Sequence, residues 1–282
     1  MIKLLAALAL ALPVLAQAQG QTLDKIRKKG EIALGFVDGA TPFSWAGPGG
    51  APQGYSVELC KAVADGVAAQ LKGPALKVRW VRLTIQNRID AVRKGEVDLE
   101  CSTTTWTFSR QQQVDFSLVT FVDGASLMVK AGPGAVGLAD FDGKRIGVIS
   151  GTTTEKALTA ALARRSIKAE VVPVKTRIDG LAAVGEGQVD GFASDRTALI
   201  GMLVTSGAPR GTFRLLDQDF AIEQYALMLP RGDHEWRLAV NRVLARLYRS
   251  GQIEKIYARW LGPLGPPSVL LSATYFIQSV AE

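Results

Sequence analysis

Short apolar runs alternate along the chain with longer stretches whose apolar positions recur every three or four residues. The first spacing is typical of buried strands and the second of amphipathic helices. Predicted strands at 32–36, 78–81 and 146–149 alternate in this way with predicted helices, the longest of which runs from residue 54 to about residue 71. Strands that alternate with helices predict an α/β fold with parallel sheets.

The remaining chain predicts a few further elements. Residues 117–130 are largely extended, 225–229 form a short strand, and one or two helices lie between 233 and 261. The stretch after Pro263 has apolar residues without a clear period, and we interpret it as surface packing.

One sequence phrase occurs twice. Residues 87–90 read Asn-Arg-Ile-Asp and residues 176–179 read Thr-Arg-Ile-Asp, and each copy continues to a Gly and then to Val-Asp. Each copy predicts an arginine at a helix start, a glycine turn and a short buried strand. The repetition predicts two similar α/β lobes that face each other across a cleft.

Polar residues follow the predicted strand of each copy. The first is followed by the threonines of 103–105 and by Arg110, and the second by Ser194 and Asp195. Ligands of α/β sheets are usually bound at the carboxyl ends of the strands, so we expect these residues to face a ligand. Arg110 then offers a cation from one lobe, and Asp195 offers an anion from the other. The simpler alternative is that Asp195 only pairs with Arg196.

Two further features suggest that an anion is bound. An arginine is electrostatically unfavourable at a helix N-terminus, yet Arg88 and Arg177 both occupy that position. Either one alone would be read as a solvated side chain. The segment 150–155 offers hydroxyls and backbone N–H groups at another helix start, which suits an anion but also describes a plain capping box completed by Glu155.

Residues 1–18 are interpreted as a secretory signal peptide, because Lys3 precedes a Leu/Ala-rich run and the segment ends in Ala-Gln-Ala. Export permits disulfides, and the chain has two cysteines. Cys60 falls in a predicted helix and Cys101 at a strand end. We favour two buried free thiols over a bridge between them, and both possibilities remain open.

Composition argues against several functions. The formal net charge is +7, but the basic residues are dispersed, so no nucleic-acid partner is expected. After the signal peptide, no apolar run is long enough to insert into a membrane. The chain lacks a His/Cys metal cluster, a nucleophile elbow and a Walker loop, and the glycine pattern at 132–137 contains a proline. We therefore expect no metal, no cofactor and no enzymatic activity.

Taken together, these residues resemble the polar-amino-acid solute-binding proteins of ABC transporters, the family-3 periplasmic binding proteins. The resemblance covers about residues 23–262 and rests on Pro42-Phe43-Ser44, the Gly54–Leu59 segment, Gln86-Asn87-Arg88, Gly95-Glu96-Val97-Asp98, Thr103-Thr104-Thr105 through Arg110, Asp115-Phe116-Ser117, Ser150-Gly151-Thr152-Thr153 and Trp260. It implies a type II fold: two lobes, each a mostly parallel sheet flanked by helices, joined by two extended crossovers. Lobe 1 would comprise 22–122 plus 228–282, and lobe 2 would comprise 123–227.

The resemblance also implies a ligand site between the lobes, made of Tyr55, Arg88, Thr103, Thr105, Arg110, Thr152, Thr153, Arg177 and Asp195. In this arrangement Arg110 would hold the α-carboxylate of one amino acid, helped by Thr105 and by the backbone at Thr103 and Thr152. Asp195 would bind the α-ammonium group. Such a zwitterion needs a fixed cation and a fixed anion, since burying either charge unpaired is costly.

Side-chain specificity follows less directly. Tyr55 is similar to the aromatic residue that packs on the ligand, and Arg88 to the arginine that meets the side-chain carboxylate in the glutamate/aspartate-binding branch. Arg177 stands where that branch has a His, whereas Val37 and Ile85 stand where it has an Arg and a Ser. The segment after the threonine run looks instead like the general L-amino-acid binders. We expect an acidic or amide amino acid.

Three functions fit these observations. The first is a monomeric periplasmic receptor that closes around its ligand and docks on a membrane permease driven by an ATPase. The second is an enzyme similar to the cyclohexadienyl and arogenate dehydratases, which share the architecture; it requires an acid catalyst in the cleft, and no spare Glu or His stands out there. The third is a sensor that reports ligand to a receptor.

Overall fold

The computed structural model describes residues 21–281, so the predicted signal peptide lies outside the described residues. The strands are β1 (Glu31–Val37), β2 (Trp45–Ala46), β3 (Pro52–Gln53), β4 (Lys77–Leu83), β5 (Leu99–Glu100), β6 (Val114–Lys130), β7 (Arg145–Ile149), β8 (Glu170–Val174), β9 (Gly191–Asp195), β10 (Phe213–Leu215) and β11 (Ala221–Pro230). The helices are α1 (Gln21–Lys29), α2 (Tyr55–Gln70), α3 (Arg88–Arg93), α4 (Phe108–Gln111), α5 (Thr153–Arg164), α6 (Arg177–Gly185), α7 (Arg196–Thr205), α8 (His234–Arg249), α9 (Gln252–Trp260) and α10 (Val269–Ile277).

The strands are ordered β4-β1-β5-β11-β6-β9-β7-β8, and β10 pairs with β6. β1 is parallel to β4 and β5 in the first lobe, and β7 is parallel to β8 and β9 in the second. The long strands β6 and β11 are antiparallel to each other and run from one lobe into the other. These are the two extended crossovers, and the predicted two-lobed α/β fold is confirmed.

The repeated phrase builds the same unit in each lobe. Its Gly95 and Gly187 have φ angles of 70° and 73°, the left-handed conformation that glycine adopts most easily at a helix end. The aspartates that follow also act alike: Oδ2 of Asp98 accepts from the Ala33 N–H, and Oδ2 of Asp190 accepts from the Arg145 N–H, each at 2.8 Å. Each aspartate therefore ties the start of its strand to the neighbouring parallel strand.

Each lobe has its own apolar core. The first is centred on Trp236, which is fully buried and donates from Nε1 to the Asp98 carbonyl at 2.9 Å. The second is centred on Phe141 and Phe192. Burial stabilises each such side chain by roughly 1.5–3 kcal/mol, so each lobe holds the strand ends that carry its polar residues.

The chain after Pro263 packs on the surface of the first lobe, as interpreted, but it does so through a helix, α10, that was not predicted. One face of α10 packs on the first lobe through Leu271 and Tyr275, whereas Val269 and Phe276 stay exposed. The helix is therefore apolar on both faces, and the three-to-four-residue period that reveals an amphipathic helix is absent.

Cys60 and Cys101 form a disulfide with Cα atoms 6.0 Å apart, so the preference for two free thiols is wrong. The buried position predicted for both residues is correct. The sequence showed a helix and a strand end 41 residues apart, but it could not show that α2 packs across the end of β5.

We expect replacement of both Cys60 and Cys101 by Ser to lower the free energy of unfolding by about 2–4 kcal/mol, because the bridge closes a long loop in the unfolded chain. Denaturant unfolding of the variant and of the oxidised wild type measures this difference. The wild type under reducing conditions is the matched control and should lose the same amount. Equal stability with and without the bridge would contradict the prediction.

Candidate functional site

A cavity lies between the two lobes, with an empty volume of about 350 Å³ including its mouth. It is lined by Ile85, Arg88, Thr103, Thr105, Ile149, Thr152, Thr153, Thr154, Arg177, Ala193, Ser194 and Asp195. Both copies of the repeated phrase contribute their helix-start arginine. The structure thus brings seven of the nine predicted site residues to one cavity, and Tyr55 and Arg110 are the two exceptions.

Arg88 contributes a buried cation from the first lobe. Its Nη1 donates to the Thr103 carbonyl at 3.2 Å, whereas its Nε is buried without a hydrogen-bond partner. Burial lowers the pKa of Arg88, while the buried carboxylate of Glu100 acts in the opposite direction. An unpaired buried donor is costly, so this side of the cavity is suited to an anionic or hydrogen-bond-accepting group.

Arg177 and Asp195 form the counterpart in the second lobe. Arg177 donates from Nε to the Ser194 hydroxyl at 3.3 Å and from Nη2 to Oδ2 of Asp195 at 3.5 Å. The alternative in which Asp195 only pairs with Arg196 is wrong, because Arg196 donates from Nε to Asp219 at 2.6 Å. Asp195 therefore presents its carboxylate to the cavity.

Arg110 does not line the cavity, but it contacts Thr105, which does. Its guanidinium donates from Nη1 to the Thr105 carbonyl at 2.8 Å. Burial and the charge of Arg88 lower the pKa of Arg110 to about 10, so it remains a cation at neutral pH. The contact with Thr105 uses one of the five N–H donors of a guanidinium.

Tyr55 is not at the cavity, and its predicted role against a ligand is not supported. The side chain is fully buried in the core of the first lobe, edge-on to Phe43 and Phe121. Its hydroxyl donates to the Thr120 carbonyl at 2.8 Å and lies 2.6 Å from the Tyr275 hydroxyl. Tyr55 is the first residue of α2, and the sequence alone could not show whether its ring points to the cavity or into the core.

The threonines at the start of α5 serve both roles expected of this segment. Oγ1 of Thr152 accepts from the Glu155 N–H at 3.1 Å, and Glu155 accepts in return from the Gly151 N–H at 2.7 Å. The capping function is therefore present. Thr152 and Thr153 also line the cavity, so capping and a position at the site coexist.

Sequence reasoning missed two buried acids on the crossover strands. Asp123 of β6 lies opposite Glu223 of β11 in the strand register. Burial raises the pKa of Glu223, and the neighbouring Asp195 adds to this effect. Glu223 and Tyr225 point to the same side of β11, because side chains alternate along a strand. The strand begins at Ala221, four residues before the predicted strand, so the prediction left Glu223 outside it.

Between residues 21 and 281 the structure has no helix that is long and apolar enough to cross a membrane. Over the same described range, no three His, Cys, Asp or Glu side chains are grouped so that they could hold a metal ion.

The chain belongs to family 3 of the bacterial extracellular solute-binding proteins, whose sequence pattern matches residues 32–263. The L-glutamate/L-aspartate-binding protein of Pseudomonas aeruginosa is 34% identical over 267 residues, which cover 93% of this chain and 86% of that protein. The glutamate/glutamine/aspartate/asparagine-binding protein BztA of Rhodobacter capsulatus is 31% identical over 231 residues, covering 81% of this chain and 67% of that protein.

Solved structures agree with the two-lobed fold. An ancestral arginine-binding protein bound to glutamine has a TM-score of 0.71 at 25% identity, covering 83% of this chain and 98% of that chain. The ancestral amino acid-binding protein AncCDT-1, a precursor of cyclohexadienyl dehydratase, has a TM-score of 0.71 at 26% identity, covering 85% of this chain and 99% of that chain.

We expect buried Asp123 to make the free energy of unfolding depend on pH. Burial, and then the charge of Asp195, raise its pKa from 3.8 to about 7. Between these values the folded state binds more protons than the unfolded state, so this group's contribution to stability is lost as pH rises through that window. We expect Asp123→Asn to remove this group's contribution to the fall of the free energy of unfolding with rising pH. Denaturant titrations at a series of pH values measure it. Asp217→Asn, an exposed control, should keep it, and an unchanged slope in Asp123→Asn would contradict the assignment.

Proposed function

We propose that this protein is a periplasmic receptor that captures one L-amino acid, acidic or amide, and delivers it to an ABC permease and its ATPase. The observation that carries the proposal is that Arg88, Arg177 and Asp195, drawn from both lobes, line a single cavity. The solute-binding family and the glutamate- and aspartate-binding relatives support it. The receptor acts as a monomer after removal of residues 1–18.

The amino-acid head is recognised by charges of opposite sign. Asp195 binds the α-ammonium group, assisted by the neighbouring hydroxyl of Thr154, which lies 3.4 Å from its Oδ1. Arg110 does not line the cavity as it stands, but its guanidinium is bonded to the Thr105 carbonyl, and its remaining N–H donors bind the α-carboxylate from that side, with the backbone at Thr103 and Thr152. Fixed charges of this kind offset the cost of removing a zwitterion from water.

Arg88 and Arg177 recognise the ligand's side chain. Each is held by a carbonyl or a hydroxyl of its own lobe, and the unpartnered Nε of Arg88 is suited to a carboxylate or a carboxamide oxygen. Ile85 and Ile149 close the cavity with apolar surface, which limits the length of side chain that it accepts.

For the lobes, we propose the boundaries 22–122 plus 228–282 for lobe 1 and 123–227 for lobe 2. The separation of the apolar cores supports this division. Closure over the ligand then rotates lobe 2 about the crossover strands and creates the surface that docks on the permease.

We expect Arg88→Ala and Arg177→Ala to weaken binding of glutamate at least about tenfold more than binding of glutamine, a difference of about 1.4 kcal/mol. The reason is that only glutamate has a full charge to lose with the guanidinium. Isothermal titration calorimetry with both ligands measures the effect, and Arg93→Ala, at the exposed end of α3, is the matched control. Equal losses for glutamate and glutamine would reject side-chain recognition by these arginines.

Glu223 favours a second candidate, a dehydratase related to the cyclohexadienyl and arogenate enzymes. Such an enzyme needs an acid in the cleft, and Glu223 is a carboxyl with a raised pKa beside the cavity wall, which sequence reasoning had not found. Its carboxylate is, however, occupied by the Thr153 hydroxyl. Release of a ring-aromatised product from prephenate or arogenate would establish this candidate, and its absence with tight amino-acid binding would establish the receptor.

A further inference from the structure

Glu223 lies one hydroxyl group away from the cavity. It is 2% exposed, and its Oε2 accepts a hydrogen bond from Oγ1 of Thr153 at 2.9 Å. Oγ1 of Thr153 in turn lies 3.1 Å from Oγ1 of Thr105. A chain of polar groups therefore connects a crossover strand, the second lobe and the first lobe, and both of its hydroxyls are on the cavity wall.

The protonation state of Glu223 determines which group donates and which accepts in each hydrogen bond of this chain of polar groups. An ionised carboxylate only accepts, whereas each hydroxyl has a single proton to donate. With Glu223 ionised, Thr153 donates to Glu223 and Thr105 donates within the chain, so both hydroxyl protons are used by the protein. With Glu223 protonated, the chain holds one more proton than its internal contacts need. That proton leaves one hydroxyl free to donate into the cavity.

The charges around β11 place Glu223 between opposing influences. The buried charged groups on the elements around it are Asp123 of β6, Arg88 of α3, Glu100 of β5, Asp195 of β9 and Arg110 of α4. Burial and Asp195 raise the pKa of Glu223, whereas the hydrogen bonds from the two threonine hydroxyls and the charge of Arg110 lower it. A ligand carboxylate near Thr105 would add one more negative charge beside it.

Resting on the amino-acid site proposed above, we propose that Glu223 is a positioning residue and that binding of the ligand carboxylate beside Thr105 is coupled to uptake of one proton by Glu223. The proton comes from solvent. It reverses the chain, so that Glu223 donates to Thr153, Thr153 donates to Thr105, and the Thr105 hydroxyl donates to the ligand. The added hydrogen bond exists only when ligand and proton are both bound.

Calorimetric titration with glutamate, in buffers that differ in ionisation enthalpy, counts the protons exchanged. We expect the wild type to take up one proton per ligand between the pKa of Glu223 in the ligand-free protein and its higher pKa in the complex, and its affinity to fall by up to about tenfold per pH unit in that range. Glu223→Gln can donate from its amide to Thr153 as the protonated acid does. This variant should bind as tightly as the wild type at acidic pH, with no proton uptake and no such pH dependence.

Three further variants separate this role from a structural one. Gln224→Ala, on the exposed side of the same strand, and Asp123→Asn should keep the proton uptake. Thr153→Val breaks the chain and should abolish it, which tests the idea even if Glu223→Gln fails to fold.

Ligand binding by the wild type without proton uptake, or an uptake that persists in Glu223→Gln, would overturn the proposed coupling while leaving the receptor function intact. Failure of the wild type to bind any amino acid would instead refute the proposed function, and the coupling with it.

Discussion

The charged side chains between the lobes are buried, and each needs polar groups of the protein to replace the water that it loses. Three arginines, Arg88, Arg110 and Arg177, are buried there together with two acids, Asp195 and Glu223. A buried charge without a partner costs several kcal/mol, so each of these groups has at least one polar contact in the protein, although Nε of Arg88 has none. Hydrogen bonds hold two of the arginines in place. Arg110 donates to a backbone carbonyl, and Arg177 donates to Ser194 and Asp195.

The two-lobed fold places charged residues on both sides of the cavity between the lobes. The duplicated unit places an arginine at the first position of α3 and of α6, so each lobe offers a cation from the same point of its architecture. The crossover strands β6 and β11 add acids between them. Cations are therefore fixed on both lobes, whereas Asp195 lies on the second lobe beside Arg177. In the proposed site, a zwitterionic ligand contacts both lobes at once when they are closed. The threonine hydroxyls on the cavity wall can change their hydrogen-bond partners, because a hydroxyl both donates and accepts.

Much of this could be predicted from the sequence, for physical reasons that differ between residues. The repeat located Arg88 and Arg177, because local periodicity fixes where a helix begins. Glu223 escaped notice because its importance arises from a strand pairing with residues about a hundred positions earlier. The bridge between Cys60 and Cys101 likewise depends on how a helix packs on a strand end, and a spacing cannot show this. The last helix was missed because it is apolar on both faces.

We propose that the charges between the lobes form an amino-acid site. This proposal is tested most directly by unfolding the protein, refolding it free of carried-over ligand, and titrating it calorimetrically against the twenty amino acids. We expect tight binding confined to glutamate, aspartate and their amides. Absence of binding across the whole set, or equal affinity for amino acids with apolar side chains, would contradict it.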